Sequence, residues 1–293
     1  MDHHITVGLI GAGNMAEALI RGLLGRGVVP PAGLWATNRS NAARLEALRE
    51  RYGVQITREK QTLTAAASIL ILAVKPKDMA QALDELRGLV HADHLVISVA
   101  AGIPLTAIED ALPDAAVIRA MPNTSAAVQE SATVLAAGVR ANEAHLSDAE
   151  VIFRAVGDVA VVDEELLDVV TALSGSGPAY VYHLVEAMIH AGRDLGLDGE
   201  LARRLAVQTL VGAARMLAET SEDPGELRRR VTSPGGTTMA ALQTLEARGF
   251  ARSVREAVDR AAQRSRELAD EFGGTRESQG VRLTTVCRRG SSR

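Results

Sequence analysis

The chain changes texture once along its 293 residues, and that change limits what it can fold into. Up to Val162, short apolar runs alternate with helix-like stretches. From Asp163 onward the strand-like runs stop. The strand candidates are Ile5–Ile10, Leu34–Thr37, Ile69–Val74, Leu95–Val99 and Ala116–Ala120, each suited to a sheet covered on both faces. Helical patterns such as Ala42–Arg51 and Asp78–Leu89 lie between several of them. This alternation predicts a doubly wound α/β domain with a parallel sheet. "SATVLAAG" and "VAVVD" read as further strands that close the domain near Val162.

The second half is rich in Ala, Leu, Glu and Arg. Pro178–Leu195, Glu200–Glu219, Thr237–Arg248 and Ala251–Phe272 read as helices by propensity and apolar spacing. They are separated by the breakers "SGSGP", "GLDG", "EDPG", "TSPGG" and "RGF". An all-α domain is expected over 163–273, with its last two helices packing against a second subunit. The remainder, 274–293, has five arginines against one glutamate and no apolar period, so disorder is expected there.

Composition removes several classes of function. Charged residues make up 23% of the chain and the net charge is −4, which gives no electrostatic footprint for nucleic acid or an anionic membrane. Aromatics are only 2%, leaving few platforms for stacked bases. No apolar run reaches the roughly 18–20 residues of a spanning helix. The N-terminal "ITVGLIGAG" follows Asp2, lacks a basic n-region, and reads as a first strand. One cysteine, Cys287, cannot form an intrachain disulfide, which suits a reducing cytoplasm. No metal site is expected.

"LIGAGNMAEALIRGLL" carries a G-x-G-x-x-A fingerprint over Gly11, Ala12, Gly13, Asn14, Met15 and Ala16. Gly11 permits the tight turn, Gly13 lets backbone approach a pyrophosphate, and the small Ala16 lets helix and strand pack closely. The helix then presents free N–H groups and its positive dipole end to the phosphates. Such a loop is weak evidence alone, but here it follows a strand and opens a helix, as a Rossmann-like nucleotide site requires.

After the second strand stand Asn38, Arg39 and Ser40, where an NAD site usually has an acidic residue. Arg39 suits a 2′-phosphate, with Asn38 and Ser40 as further donors. The same residues also suit a helix N-cap, and the two readings are compatible. NADPH is therefore the expected cofactor, with NADH possible. "AVKPKD" contributes Ala73, Val74, Lys75 and Pro76. Lys75 is read as lining the cofactor crevice, a catalytic acid or a surface lysine being the alternatives. "SVAAGIP" and "AMPNTSAA" also follow strands. They place Ala100, Ala101 and Asn123 where open α/β sheets bind ligands, with the Asn123 amide toward nicotinamide or substrate.

Over about residues 5 to 272 the chain resembles the pyrroline-5-carboxylate reductase family. The resemblance rests on "GLIGAGNMAEALIRG", "LAVKPKD", "VISVAAGIPL", "RAMPNT", "TALSGSGPAYVYHLVEAM" and "VTSPGGTTMAALQTLEARGF". The last two are specific to that family. The resemblance implies reduction of Δ1-pyrroline-5-carboxylate to proline with NADPH or NADH. It also implies a helical C-terminal domain that intertwines into homodimers, often assembled into larger rings such as decamers. In such a dimer, a neighbour's copy of the "SPGGTT" loop completes a site. Four departures stand out: Ser125 where the family commonly has proline, "AAVQES" in place of a run that usually ends in glycine, Lys60 where relatives often carry an asparagine near the adenosine ribose, and a tail after Gly273 that resembles nothing in the family.

The implied substrate is a cyclic imine bearing a carboxylate. An imine nitrogen is basic and can arrive protonated, so its site needs orientation and a hydrogen-bond partner more than a strong general acid. "SPGGTT" precedes a helix, and its N–H groups suit a carboxylate. By the resemblance, Ser233, Gly236 and Thr237 hold that carboxylate and Thr238 hydrogen-bonds the ring nitrogen. The plain alternative is a helix–helix turn capped by Ser and Thr. "SGSGP" divides evenly between structural and functional readings, with Ser176 its best ligand contact. A β-hydroxyacid dehydrogenase shares the overall plan, but no lysine occurs from "SGSGP" through "SPGG" to act as its acid. A redox-sensing protein that only holds NADPH is a third reading, disfavoured by the whole "SPGGTT" loop.

Overall fold

A computed structural model of the chain describes residues 5–278. The first half is built on eight strands: β1 (Val7–Ile10), β2 (Leu34–Thr37), β3 (Gln55–Thr57), β4 (Ile69–Leu72), β5 (Leu95–Ser98), β6 (Ala116–Met121), β7 (Ser131–Ala137) and β8 (Gly157–Val161). They form one sheet in the order β3-β2-β1-β4-β5-β6-β7-β8. Between them run α1 (Asn14–Gly25), α2 (Ala42–Tyr52), α3 (Lys60–Ala66), α4 (Met79–Leu86), α5 (Leu105–Ala111) and α6 (Glu143–Arg154).

The core explains why these strands read as continuous apolar runs. Successive side chains leave a strand on opposite faces. Val7 and Leu9, Ile69 and Ile71, Leu95 and Ile97 pack with Leu19, Leu23, Leu45, Leu48 and Phe153 of α1, α2 and α6. Ile10, Leu70, Leu72, Val96 and Val117 pack on the other face with Leu63, Met79, Leu83 and Ile108 of α3, α4 and α5. A sheet buried on both faces has no polar face to alternate with.

Three expectations change. The sheet is not wholly parallel, because β7 runs antiparallel to β6. The link from Met121 to Ser131 holds only a short 3₁₀ turn, too little chain for the crossover of a dozen or more residues that parallel pairing needs. β3 and α3 did not register as elements in the sequence. β3 is a sheet-edge strand of "QIT", only partly buried, so it shows no apolar run. "EDPG" is more than a breaker. Asp223 accepts hydrogen bonds from the N–H groups of Gly225 (2.8 Å) and Glu226 (3.2 Å), and with Pro224 at its first turn it starts a short helix.

The helical half contains α7 (Leu167–Val170), α8 (Gly177–Asp194), α9 (Gly199–Thr220), α10 (Pro224–Arg230), α11 (Thr237–Ala247) and α12 (Phe250–Ser278). By packing, the chain divides at Gly175/Ser176, beyond the change of texture at Val162/Asp163. One unit runs to Gly175 and resumes at Ala261, and the other is Ser176–Arg260. The reason lies in side chains buried within the first unit. Leu167 and Ala172 are buried there, and the Ser265 hydroxyl of α12 donates to Asp168 Oδ1 at 2.6 Å. α12 continues as helix to Ser278, so 274–278 are helical; the rest of the expected disordered tail, 279–293, lies outside the described residues.

The second unit buries little by itself. Among its described residues only Ala202 and Ala206 are buried, at the approach of α9 to α8, where a Cβ on Gly192 would sit 3.3 Å from that of Ala202. Val181, Tyr182, Leu184, Met188, Leu205, Val211, Met216 and Leu217 remain exposed. Clustered exposed apolar side chains of this kind mark an association surface.

In the first unit the packing leaves no slack at Gly22 of α1. A Cβ there would lie 2.4 Å from Val156 Cγ1 and 2.7 Å from the Ala155 carbonyl oxygen. The Gly22→Ala variant is expected to lose about 1–3 kcal/mol by overpacking, despite its better helix propensity. Urea denaturation checks this through a lowered midpoint at unchanged slope.

Candidate active site

The strand order places β1 between β2 and β4, so the chain leaves the sheet centre first to one side and then to the other. At such a switch point the loops after adjacent strands part and leave a crevice at their C-terminal ends. Here the crevice measures about 450 Å³ and is lined by the loops after β1, β2 and β4 together with α4.

Its floor is the glycine turn. Gly11 has φ +108°, and a Cβ there would lie 2.5 Å from the Ala73 carbonyl oxygen, so only glycine fits. Its N–H donates to the Thr37 carbonyl at 3.0 Å, and the Ala73 N–H to that of Ile10 at 2.9 Å, tying the three strand ends together. Gly13 differs: a Cβ on it would meet nothing within 4 Å. Its freedom from a side chain leaves open space against bare backbone at the start of α1, which no side chain caps. Uncapped N–H groups facing open space fit a phosphate group.

One wall is charged. Asn38 Oδ1 accepts from the N–H groups of Ser40 (3.1 Å) and Asn41 (2.9 Å), and Asn41 in turn caps α2 through Arg44 N–H at 2.9 Å. The cap is therefore Asn41, while Arg39 and Ser40 stay on the crevice wall. Arg39 Nη1 donates to Gln81 Oε1, and its Nη2 lies 3.6 Å from Asp78. Gln81 Nε2 donates to Glu85 Oε1 at 2.7 Å, and Lys60 pairs with the other Glu85 oxygen. Donation from Lys60 holds the Glu85 carboxyl below its ordinary range, against a smaller opposing effect of burial.

The crevice brings together Gly11, Ala12, Gly13, Asn38, Arg39, Ser40, Ala73, Val74 and Lys75, with Lys60 beside them. Asn14 and Met15 form the first turn of α1, outside the lining itself. Pro76 opens a 3₁₀ turn and is exposed; Ala100 is buried and Ala101 half-buried after β5, and none of the three lines the crevice. Asn123 is also absent from the lining and is nine-tenths buried. Its Oδ1 accepts from Ser125 N–H and its Nδ2 donates to the Ser174 carbonyl, each at 3.0 Å. These bonds latch the turn after β6 to the helical turn at Thr171–Gly175. A proline at 125 would lack the N–H that Ser125 supplies.

The second unit carries the other candidates. Ser233 and Gly235, with φ +69°, turn the chain into α11, and Gly236 is its N-cap. Gly236 N–H donates to the Ser233 carbonyl at 3.0 Å, and a Cβ on Gly236 would lie 2.4 Å from Ser233 Oγ. Thr237 opens the helix exposed, Thr238 follows half-buried, and no side chain caps the helix start. Ser176 precedes α8 and likewise makes no capping bond.

One cluster beside the glycine turn escaped sequence reading. Arg44 donates from Nε to the Ala12 carbonyl at 2.9 Å and from Nη2 to Glu17 Oε2 at 2.5 Å. Tyr52 Oη and Arg51 Nη1 donate to Glu17 Oε1 at 2.9 and 3.1 Å. The Arg44 hydrogen bond, followed by those effects of Tyr52 and Arg51, keeps the Glu17 carboxyl below its ordinary range despite partial burial. The only prior hint was a glutamate in the first turn of a helix, which is ordinary helix chemistry.

A crevice at the switch point of a doubly wound sheet is of the kind that takes dinucleotides, and the chain carries an all-helical unit besides. Residues 164–268 match the family model described as pyrroline-5-carboxylate reductase dimerisation, and residues 6–102 match one described as NADP oxidoreductase, coenzyme F420-dependent. Pyrroline-5-carboxylate reductase 2 of Bacillus subtilis is 43% identical over 92% of this chain and 96% of its own. The solved pyrroline-5-carboxylate reductase of Coxiella burnetii superposes with a TM-score of 0.86 at 38% identity, over 91% of this chain and 99% of that one. The Plasmodium falciparum pyrroline carboxylate reductase, solved with NADP bound, gives 0.82 at 27% identity, over 90% and 98%. The chain belongs to the pyrroline-5-carboxylate reductase family.

The Lys60–Glu85 pair gives the crevice a pH signature. A carboxyl whose folded pKa is depressed adds stability above its unfolded pKa and loses it as pH falls through the folded value. The stability gap between the native protein and Glu85→Gln is expected to be full at neutral pH and to close below the ordinary glutamate range. Urea midpoints measured across that range check it.

Proposed function

We propose that this protein reduces Δ1-pyrroline-5-carboxylate to L-proline with NADPH, the last step of proline biosynthesis. The observation that carries the reading is the start of α11, where Ser233, Gly236, Thr237 and Thr238 surround an uncapped helix end, in the unit that matches the family's own helical model. A helix start of this kind fits a small carboxylate. Ser233, Gly236 and Thr237 hold the substrate carboxylate, and Ser176 is a further contact. Thr238 hydrogen-bonds the ring nitrogen and fixes which face of the C=N bond is presented. A nicotinamide, when bound, would supply the hydride for the C=N carbon; the ring nitrogen, already protonated or taking its proton from water, would receive the π pair. No strong acid is needed, and none stands in this loop.

Gly11–Gly13 and the first turn of α1 at Asn14 and Met15 would hold the cofactor, with Ala73, Val74, Lys75 and Pro76 beside it and Ala100, Ala101 and Asn123 toward its nicotinamide end. The open space at Gly13 and the uncapped α1 fit its pyrophosphate. A preference for NADPH is supported by Arg39, Ser40 and Lys60 on one wall, with no acidic residue directly after β2. A cytoplasmic location accords with the single cysteine of the sequence. The partner is a second copy of this chain. The exposed apolar side chains of α8 and α9 are the surface that a homodimer would cover, and such dimers would build a larger ring.

The direct test follows nicotinamide absorbance with Δ1-pyrroline-5-carboxylate as substrate, and with 3-hydroxyacids in the reverse direction. Turnover of the imine alone is expected; its absence would sink the reading. In the same assay Thr238→Ala should lose roughly ten- to hundredfold in kcat while cofactor Kd moves by less than about twofold. Equal losses would make Thr238 structural. Arg39→Ala should weaken NADPH by about tenfold or more and leave NADH nearly unchanged, since one charge-assisted bond to phosphate is at stake. An unchanged preference would retire that role.

A further inference from the structure

The fingerprint helix carries an electrostatic conflict. Its first turn is where the pyrophosphate is proposed to bind, yet the same turn carries the carboxylate of Glu17. Like charges at one helix end repel, the more so in a partly buried medium. In the structure the conflict is relieved from α2. Arg44, Arg51 and Tyr52 all donate to Glu17, drawing its carboxylate toward α2. Arg44 does a second thing with the same guanidinium: its Nε holds the carbonyl of Ala12, the middle residue of the glycine turn. A carbonyl bound on the α2 side cannot swing toward the phosphates, and the peptide N–H groups that follow it are left to face them. Arg44 is itself fixed, because it sits in the first turn of α2 and its N–H is taken by the Asn41 cap. Only a planar guanidinium reaches both acceptors at once; a lysine ammonium is a point charge without that fork.

We infer that Arg44 is a positioning residue for dinucleotide binding: it orients the Ala12 peptide and neutralises Glu17, so the affinity for the cofactor's pyrophosphate depends on it. This rests on the cofactor reading above and adds a residue that is not itself in the crevice lining but acts on it through Ala12. Because the pyrophosphate is common to both dinucleotides, Arg44 acts equally on each, unlike Arg39.

Isothermal titration of the full-length protein with NADP+ and with NAD+ tests this without turnover. The variants are Arg44→Ala, Arg44→Lys, Glu17→Gln and the double variant Glu17→Gln/Arg44→Ala. Arg44→Ala is expected to weaken both dinucleotides by the same factor, about tenfold. Arg44→Lys, which keeps the charge but not both bonds, should fall between Arg44→Ala and the native protein. The double variant should regain part of the affinity lost in Arg44→Ala, since the unpaired carboxylate is gone. A merely structural role predicts no such recovery, because the double variant has lost one more hydrogen-bond partner. Native affinity in both Arg44 variants would overturn the inference. So would a loss confined to NADP+, which would make Arg44 a reader of the 2′-phosphate. Should Arg44→Ala fail to fold, the lysine variant and Glu17→Gln decide alone, with a loss in the first and none in the second expected. A native protein that binds neither dinucleotide would overturn the cofactor reading and this inference with it, which separates the two failures.

Discussion

The first unit depends on the close backbone contact between the turn after β1 and the end of β4. Gly11 sits against the Ala73 carbonyl with no room for a Cβ, and its own N–H is spent on Thr37. These contacts bring the ends of β1, β2 and β4 to one level. The loops that follow must then diverge, because β1 has a neighbour on each side and its successors lie on opposite flanks. The crevice is the space this divergence leaves. Gly13, Ala73, Val74 and Arg39 face it because of where their strands end, not because of their neighbours in sequence.

Two charge networks flank that crevice. On one flank, Arg39, Gln81, Glu85 and Lys60 form a chain in which each cation is held by acceptors of the α4 region. A ligand phosphate on that wall would have to compete with those acceptors. On the other flank, Arg44, Arg51 and Tyr52 hold Glu17 away from the helix start. The second unit contributes different chemistry. It is made of hydroxyls and backbone at a helix start, and it leaves its apolar side chains exposed in a single chain.

Much of this was legible in the sequence. The strands Leu34–Thr37 and, to within one residue of β6, Ala116–Ala120, the glycine turn and the helix starting at Thr237 come from apolar runs and from residues with one steric reason to be there. β3 and α3 were not legible, because an edge strand of "QIT" has no apolar period to show. The antiparallel turn of β7 was missed because strand direction is set by the length of the link, not by the strand's own residues. At the site, the Asn123 amide looked available for a ligand. In the folded chain the same amide also bonds Ser125 and Ser174, the latter far away in sequence.

By itself, the sequence determined the kinds of element and the special backbone positions, since periodicity, glycine geometry and helix-start chemistry are local properties. It also carried the family, through "TALSGSGPAYVYHLVEAM" and "VTSPGGTTMAALQTLEARGF". Tertiary structure alone decided the partners of the charged residues. Arg44 meets Ala12 and Glu17, and Lys60 meets Glu85, across separations that no period spans. It also decided that the chain divides at Gly175 and that α12 returns to the first unit. Those outcomes follow from which buried surfaces fit together, and that fit is a property of the packed chain and not of any one segment.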